Sequence, residues 1–481
     1  MAETLKEKTA KGLFWGGLSN FVQQVLTLLF GIFLARKLTQ SDYGMVGMLT
    51  IFSALAAALQ EGGFISALNR KKNVSHKDYN AVFWTSSLIS LFFYIVLFLC
   101  APLISVFYGV PELTPLSRYI FIGFFIVSLG IAPRAYMFRN MMVRENAIIS
   151  VSCLSISGLV AICMAYNGYA YWGIATQTVL YVLIITMMSF YFSKWRPSLQ
   201  IDFSPIKEMF GFSSKLLVTS IFNIINGNVF SVLLGKMYTP HEVGNYTQAN
   251  KWNNMGSSLV TSMLGGVAQP VFAKTEEDKI RQKRIFRKLL RFTAFVSFPA
   301  MLGLALVSKE FIVILLTEKW LESALMMQML CVAGAFVPIS ALFSNLLISR
   351  GHSTTYMWCT ILLCLVQLLA VLLSASYGIE RMILAYVVVN ICWLFVWHYF
   401  ARQEIDLKIK DVLKDISPYF VLSVALVCAA FLLTRSIENM YLSFTIKVSF
   451  VCFTYCLCLW LFKSAIFKES IKFLVRRKYD N

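Results

Sequence analysis

The sequence predicts an all-α polytopic membrane protein with about 14 transmembrane helices, and three observations support this prediction. The chain has 481 residues, of which 58% are hydrophobic, and its mean hydropathy is +0.69. Soluble domains are about 45–50% apolar. Only 14% of the residues are charged. Apolar runs of about 20 residues or more recur throughout, and each can cross a hydrocarbon core about 30 Å thick as a helix.

Short polar breaks separate fourteen apolar segments. The first run, from Leu13 to Ala35, is too long for the apolar part of a signal peptide, so we expect a membrane span there and no cleavable signal. The predicted spans are 12–35, 43–68, 81–108, 115–138, 146–166, 169–192, 210–235, 244–270, 288–316, 321–349, 352–376, 380–401, 414–434 and 440–463.

The distribution of Lys and Arg predicts the orientation of these spans. Of the 43 cations, 32 fall on the side of the N-terminus and nine on the other side, where Lys447 is counted, while Lys215 and Lys251 lie within spans. Cytoplasmic loops carry such an excess, so we expect both termini in the cytoplasm. The same rule accounts for the net charge of +19 without a nucleic-acid partner.

One short corner occurs twice, 200 residues apart. "RKLTQSDYG" ends at Gly44 and "KMYTPHEVG" ends at Gly244; both contain a Thr, an acid three residues later and then the glycine. Six spans separate the copies, so two lobes should share one orientation and face each other across a cleft that opens by alternating access. The predicted divisions are 1–197 (spans 1–6), 198–403 (spans 7–12) and 404–481 (spans 13–14 and a basic tail).

Spans 1, 2, 7 and 8, which form the repeated hairpins, hold most of the intramembrane polar residues. Polar side chains are costly against lipid, so these spans should line a hydrated cavity. The predicted cavity residues are Asn20 and Gln23 in span 1, Asn223 and Asn226 in span 7, and Asn250 and Asn254 in span 8.

Four cations are candidates for binding an anionic substrate. Lys215 and Lys251 lie within spans, and Arg134 and Arg139 lie near the inner end of span 4. A cation in a low-dielectric region requires compensation, and phosphate or pyrophosphate suits both Lys and Arg. The alternatives are snorkelling to the interface and structural pairing. Glu61, the only clear acid inside a span, either pairs with one of these cations or carries a coupling proton.

Aromatic rings and cysteine thiols are two further kinds of ligand in this sequence. Trp15, Tyr246 and Trp252 are candidates for stacking on sugar rings, although interfacial aromatic belts also account for such residues. The 11 cysteines lie in apolar runs without a His or acid constellation, so we expect no metal site, disulfide or cofactor. No loop much exceeds about 20 residues, which leaves no room for a soluble catalytic domain and predicts that the protein is not an enzyme.

Several segments resemble a known family. "LARKLTQSDYG", "LLGKMYTPHEVGNYTQANK", "PRAYMFRNMMVRENAI", "TEKWLESALMMQML" and "NLLISRGHST" resemble segments of polysaccharide-unit flippases, a branch of the multidrug/oligosaccharidyl-lipid/polysaccharide (MOP) exporter superfamily. Lys251 lies in the matching "YxxAxK" context, and Arg139 lies in the segment after span 4. Position 37 is Lys but position 237 is Met, so that cation is not duplicated.

The resemblance implies two six-helix lobes, two extra C-terminal helices and a cationic cavity. It implies export of undecaprenyl-pyrophosphate-linked oligosaccharide units to the outer leaflet of a bacterial inner membrane, for O-antigen, capsule or exopolysaccharide. The implied partners are this lipid-linked substrate, the bilayer and polysaccharide polymerase or assembly proteins, with the transporter itself a monomer. A coupling ion, H⁺ or Na⁺, is left open.

Three other functions are alternatives to this one. A lipid II flippase also has 14 spans and is the closest rival. A drug exporter coupled to Na⁺ or H⁺ would favour acids in the cavity and 12 spans. A membrane polymerase or ligase would need a large external loop and an acid/base constellation, and the sequence contains neither.

Overall fold

The structure, a computed structural model, describes residues 5–61, 68, 74–199, 202–462, 464 and 466–469. Within these ranges the chain forms seventeen α-helices and two 3₁₀ turns, and no β-strand. The all-α membrane fold is therefore confirmed. Contacts divide the chain into two compact units, Met1–Gly244 and Asn245–Asn481.

The first unit contains eight helices and the first residues of a ninth. Its helices pack in neighbouring pairs, with α1 on α6, α3 on α4, α6 on α7, and α8 on both α2 and α3. The helices are α1 (Leu5–Lys37), α2 (Gln40–Glu61), α3 (His76–Tyr108), α4 (Leu113–Leu129), α5 (Ile131–Arg139), α6 (Val143–Tyr166), α7 (Tyr171–Ser193), α8 (Ser204–Met237) and α9 (Pro240–Lys274).

The second unit contains the rest of α9 and eight further helices. In it α10 packs on α16, α14 on α15, and α16 on α17. The helices are α10 (Lys279–Leu306), α11 (Ser308–Leu316), α12 (Leu321–Gly334), α13 (Val337–Ser349), α14 (Ser353–Ser374), α15 (Ile379–Ile405), α16 (Ile409–Thr434) and α17 (Met440–Leu461).

Each of the fourteen predicted spans corresponds to one described helix or to one broken pair of helices. Ten described segments are long and apolar enough to cross a membrane, and the pair α4–α5, bent by 43° near Gly130, adds an eleventh. The three remaining long helices are α2, α8 and α9, which belong to the repeated hairpins. The count of fourteen therefore stays a prediction for these three helices.

The two copies of the repeated corner have the same local structure. In the first, the backbone N–H and the hydroxyl of Thr39 donate to the Asp42 carboxylate at 2.8 and 2.7 Å, and the Asp42 N–H donates back to that hydroxyl at 3.2 Å. In the second, the N–H of Thr239 donates to Glu242 at 3.1 Å, and its hydroxyl contacts the same carboxylate. The Thr and the acid thus satisfy donors at the start of α2 and α9, which both begin one residue after the Thr.

The glycines of the two corners let these helix starts meet backbone to backbone. A Cβ atom built on Gly44 would overlap the carbonyl oxygen of Pro240 and lie 2.6 Å from its carbon. A Cβ atom on Gly244 would likewise overlap the carbonyl oxygen of Gln40 and lie 2.6 Å from its carbon. The contact is reciprocal, and all four residues belong to the first unit.

The caps give a stability prediction. Replacing Thr39 by alanine removes the hydroxyl that donates to the Asp42 carboxylate and accepts from the Asp42 N–H. We therefore expect the free energy of unfolding to fall by about 1 kcal/mol. Thr50 lies in the middle of the same helix and is exposed, so Thr50→Ala should cause no loss. Thermal unfolding of both purified variants measures the difference, and equal midpoints would contradict a capping role.

Candidate functional site

The polar face of α1 is only partly open to a ligand. Asn20 is exposed, whereas Gln23 is half-buried and donates to the hydroxyl of Ser19 at 2.9 Å and to its carbonyl at 3.3 Å. Hydrogen bonds within one helix turn compete with bonds to a ligand. Asn20 is therefore the better placed of the two predicted residues.

A second polar surface of the first unit lies on α8. Asn223 is exposed and Asn226 is half-buried. The amide oxygen of Asn226 is buried without a hydrogen-bond partner among the described residues, and such a group is usually satisfied by a ligand or water. The side chains of Lys215 and Glu61 lie outside the described residues, so their predicted roles stay predictions.

The two arginines near the inner end of span 4 hold backbone carbonyls. Arg134 lies one turn after the bend between α4 and α5, and its Nε atom donates to the carbonyl of Gly130 at 3.3 Å. Arg139 donates from Nη1 to the carbonyl of Leu68 at 3.0 Å, across 71 residues of sequence. Both side chains are half-buried and have structural roles, and a role in substrate binding stays a prediction.

In the second unit, Lys251 on α9 is a half-buried cation within a helix. No carboxylate among the described residues lies within 4.0 Å of its Nζ atom, which is 5.8 Å from the centre of the Trp252 ring. Asn250 is half-buried, and Asn254 is exposed one turn further along the helix. An ammonium group without a carboxylate partner, flanked by amides, suits a phosphate oxygen and neighbouring hydroxyl groups.

The buried side of α9 carries polar groups that are not among the predicted cavity residues. Gln248 is 1% exposed and both of its amide atoms lack a partner among the described residues. The Oδ1 atom of Asn253 is similarly buried and unpaired, in the space that a side chain at Gly334 would occupy. The polar run from Asn245 to Asn254 is the only sequence signal for these groups, and it does not tell which face is buried.

The three aromatic candidates occupy different environments. Tyr246 and Trp252 are 1% and 3% exposed, and the Trp252 ring packs edge-on against Phe311 with centroids 5.2 Å apart. They are core residues of the second unit in this structure. Trp15 in the first unit is half-buried and lies 5.6 Å from the guanidinium of Arg144. Of the three rings, Trp15 is the one outside the buried core, and its stacking on a sugar stays a prediction.

Glu61 is not the only acid inside a predicted span, because Glu310 lies within the span predicted at 288–316. Glu310 on α11 is 7% exposed, and its Oε1 atom contacts Lys447 Nζ and accepts from the hydroxyl of Ser443 at 3.1 Å. Lys447 on α17 is also 7% exposed. The sequence count placed Lys447 on the outer side of the membrane, and the structure buries its ammonium beside the Glu310 carboxylate.

Comparison with known proteins adds a family and a fold. The profile of a family described as "polysaccharide biosynthesis protein" matches residues 33–325. The chain is similar to the lipopolysaccharide biosynthesis protein WzxC of Escherichia coli K12, with 25% identity over 357 residues, which cover 73% of this chain and 71% of that protein.

Two solved structures have similar folds. The lipid II flippase MurJ in an inward closed conformation matches with a TM-score of 0.77 at 16% identity, over 95% of this chain and 99% of that one. An inward-facing multidrug resistance MATE family transporter of the MOP superfamily matches with a TM-score of 0.65 at 14% identity, over 80% and 94% of the two chains. The resemblance of the fold to MOP transporters is therefore confirmed.

Proposed function

The chain belongs to the polysaccharide biosynthesis protein family, and on that premise we propose that it is a flippase for lipid-linked oligosaccharide units. Its substrate is an undecaprenyl-pyrophosphate-linked repeat unit, which it moves from the inner to the outer leaflet of the bacterial inner membrane by alternating access. The product serves synthesis of a surface polysaccharide. The observation that supports this proposal best is Lys251, a half-buried cation without a carboxylate partner among the described residues.

In this proposal, different residues bind the pyrophosphate and the sugars of the substrate. The ammonium of Lys251 binds the pyrophosphate, because a phosphate oxygen compensates a half-buried cation that has no carboxylate partner among the described residues. Asn250 and Asn254 on the same helix bind hydroxyl groups of the first sugars. Asn20 and Asn223 are exposed in the first unit, and their role as cavity residues stays a prediction. The polyprenyl chain stays in lipid while the head group moves between leaflets, so its apolar surface is not exposed to water.

A lipid II flippase is the second candidate, since its substrate has the same pyrophosphate and polyprenyl chemistry. The MurJ-like fold is compatible with both functions and does not choose between them. A drug exporter is less well supported, because an exporter coupled to Na⁺ or H⁺ would favour acids in the cavity, whereas Lys251 is a cation. Coupling to H⁺ or Na⁺ remains part of the proposal, with Glu61 as the predicted proton carrier or ion-pair partner.

Deleting the gene should cause lipid-linked repeat units to accumulate on the cytoplasmic leaflet, and the wild-type gene should clear them. We expect Lys251→Ala to slow this clearance about 10-fold to 100-fold, because a charge-assisted hydrogen bond contributes about 1.5–3 kcal/mol. Lys251→Arg should retain part of the activity, since Arg also binds phosphate.

Lys274→Ala is the matched control, since Lys274 is an exposed cation at the end of the same helix. It should clear the lipid-linked units at the wild-type rate. Normal surface glycan in the deletion strain together with altered drug sensitivity would contradict the flippase proposal. Lethality that a known lipid II flippase relieves would instead favour the second candidate.

A further inference from the structure

A stripe of cations runs along one face of α10 at its start. Lys283, Arg284, Arg287 and Arg291 recur at intervals of one to four residues and, with Ile280, line a cavity of about 350 Å³. Their spacing places them on adjoining positions of one helix face. The distribution of Lys and Arg predicts that this end of the helix lies at the cytoplasmic surface of the membrane.

Two carboxylates on α16 neutralise half of this stripe. Arg287 donates to Asp415 from Nε at 2.6 Å and from Nη2 at 3.1 Å, and its Nη1 atom lies 3.2 Å from Asp411. Lys283 Nζ lies 3.6 Å from Asp411 and donates to the carbonyl of Asp406 at 2.6 Å. The donors of Arg287 and Lys283 are therefore engaged within the protein.

The other two cations have donors to spare. Arg284 is exposed and forms no hydrogen bond or ion pair with a described residue. Arg291 uses only Nε, which donates to the carbonyl of Arg287 at 3.3 Å and lies 3.6 Å from Asp415. Neither of its terminal nitrogens forms a hydrogen bond with a residue in the described part of the chain. Four cations facing two carboxylates leave the stripe with a net positive charge.

Arg291 also lies at the end of an apolar groove between α16 and α17. The groove has a volume of about 670 Å³, and apart from Arg291 its polar lining groups are the hydroxyls of Tyr419 and Ser464, which lie 3.4 Å apart. Apolar side chains line the rest, among them Pro418, Leu422, Ala425, Leu459 and Phe462. A cationic cavity and an apolar groove thus share one residue.

We infer that the cationic cavity and the apolar groove together bind one anionic glycerophospholipid of the inner leaflet. Its phosphate accepts from Arg284 and Arg291 at the membrane surface, and one acyl chain lies in the groove between α16 and α17. Charge complementarity selects the headgroup, because a zwitterionic lipid would place its ammonium against a stripe that is already positive. Such a lipid would join α10 to the two helices outside the predicted repeat. The inference does not depend on the transported substrate.

Binding of phosphatidylglycerol and phosphatidylethanolamine with identical acyl chains to the full-length, delipidated protein tests the inference by native mass spectrometry. At low salt we expect phosphatidylglycerol to bind about 30-fold more tightly, since each basic residue near the surface adds about a fivefold preference. Arg284→Gln/Arg291→Gln should reduce the preference below about threefold. Ala425→Trp, which fills the groove without changing charge, should weaken binding of both lipids.

Lys309→Gln/Arg381→Gln is the matched control, because it removes two exposed cations from the opposite end of the same unit. It should bind phosphatidylglycerol like the wild type. Equal binding of the two lipids, or an unchanged preference in Arg284→Gln/Arg291→Gln, would overturn the inference. Displacement of phosphatidylglycerol by a lower concentration of polyprenyl phosphate would also overturn it, since the cavity and the groove would then belong to the carrier of the transported substrate.

Discussion

Replacing Gly44 by alanine should open the contact between the starts of α2 and α9 and destabilise the protein. The added methyl group would overlap the backbone carbonyl of Pro240, which cannot rotate away as the end of a side chain could. Overpacking of a close contact costs about 1–3 kcal/mol, and we expect a value at the top of that range because backbone must move.

Accessibility of a buried residue beside the contact provides a second readout of Gly44→Ala. Val243 is fully buried, so a cysteine placed there should resist a membrane-impermeant maleimide applied from outside the cell. In the Gly44→Ala background we expect it to become labelled. The parent protein without Val243→Cys gives the background from the native thiols.

Gly227→Ala is the matched control for the added methyl group. A Cβ atom at Gly227, on α8, has no neighbour within 4 Å, so this variant should be as stable as the wild type or slightly more stable. Wild-type stability of Gly44→Ala, or labelling of Val243→Cys without it, would contradict the close contact.

Because the contact is reciprocal, it also predicts the effects of Gly244→Ala and of the double variant. Gly244→Ala should have the same effect as Gly44→Ala, because its Cβ atom would overlap the carbonyl of Gln40 in the same way. Once one substitution has separated the helix starts, the other meets no obstacle. The double variant should therefore be about as unstable as either single variant, since neighbouring sites are not additive.

The corners also indicate how far sequence reasoning reaches. In each copy the Thr donates to an acid three residues away. This contact is local, so the spacing of the two residues in the sequence is enough to predict it. The function of Gly44 depends on a backbone carbonyl almost 200 residues away, and no local pattern contains that contact. The repeat indicates that both glycines matter, but the structure is needed to say that they matter to each other.

The candidate site was harder to predict because α9 is polar on more than one face. A helix that is polar all round does not reveal which side chains are buried. Asn254, a predicted cavity residue, is exposed, while Gln248 and Asn253 are buried and were not predicted. Trp252 has an aromatic ring suited to sugars, but it lies in the core.

Glu310 and Lys447 could not be paired from the sequence, because 137 residues separate them. Each lies near the end of an apolar run, where a charge usually faces water or snorkels to the interface. Only the packing of α11 against α17 brings the two side chains together and excludes solvent from both. The count of Lys and Arg on the two sides therefore includes Lys447 among the residues outside the spans.

Replacing Lys447 by methionine should be among the most destabilising single changes in the second unit. It would leave the Glu310 carboxylate buried with one remaining donor, the hydroxyl of Ser443, and with an Oε2 atom that already lacks a partner among the described residues. Removing one partner of a buried ion pair costs about 3–5 kcal/mol. Glu310→Gln should cost a similar amount, because the buried ammonium then loses its counter-charge.

The double variant Glu310→Gln/Lys447→Met distinguishes a coupled pair from two independent core residues. With both charges gone, no buried ion remains, so we expect a stability within about 1 kcal/mol of the wild type, well above either single variant. Lys309→Met is the control, since Lys309 is exposed beside Glu310 and its loss should change stability by less than about 0.5 kcal/mol. Thermal unfolding of the purified wild type, the two single variants and the double variant measures the cycle, with Lys309→Met beside them as the control. If the double variant lost as much stability as the two single variants together, the two residues would act independently through their packing. A coupled ion pair would not behave in this way, because removing both charges leaves no buried unpaired charge.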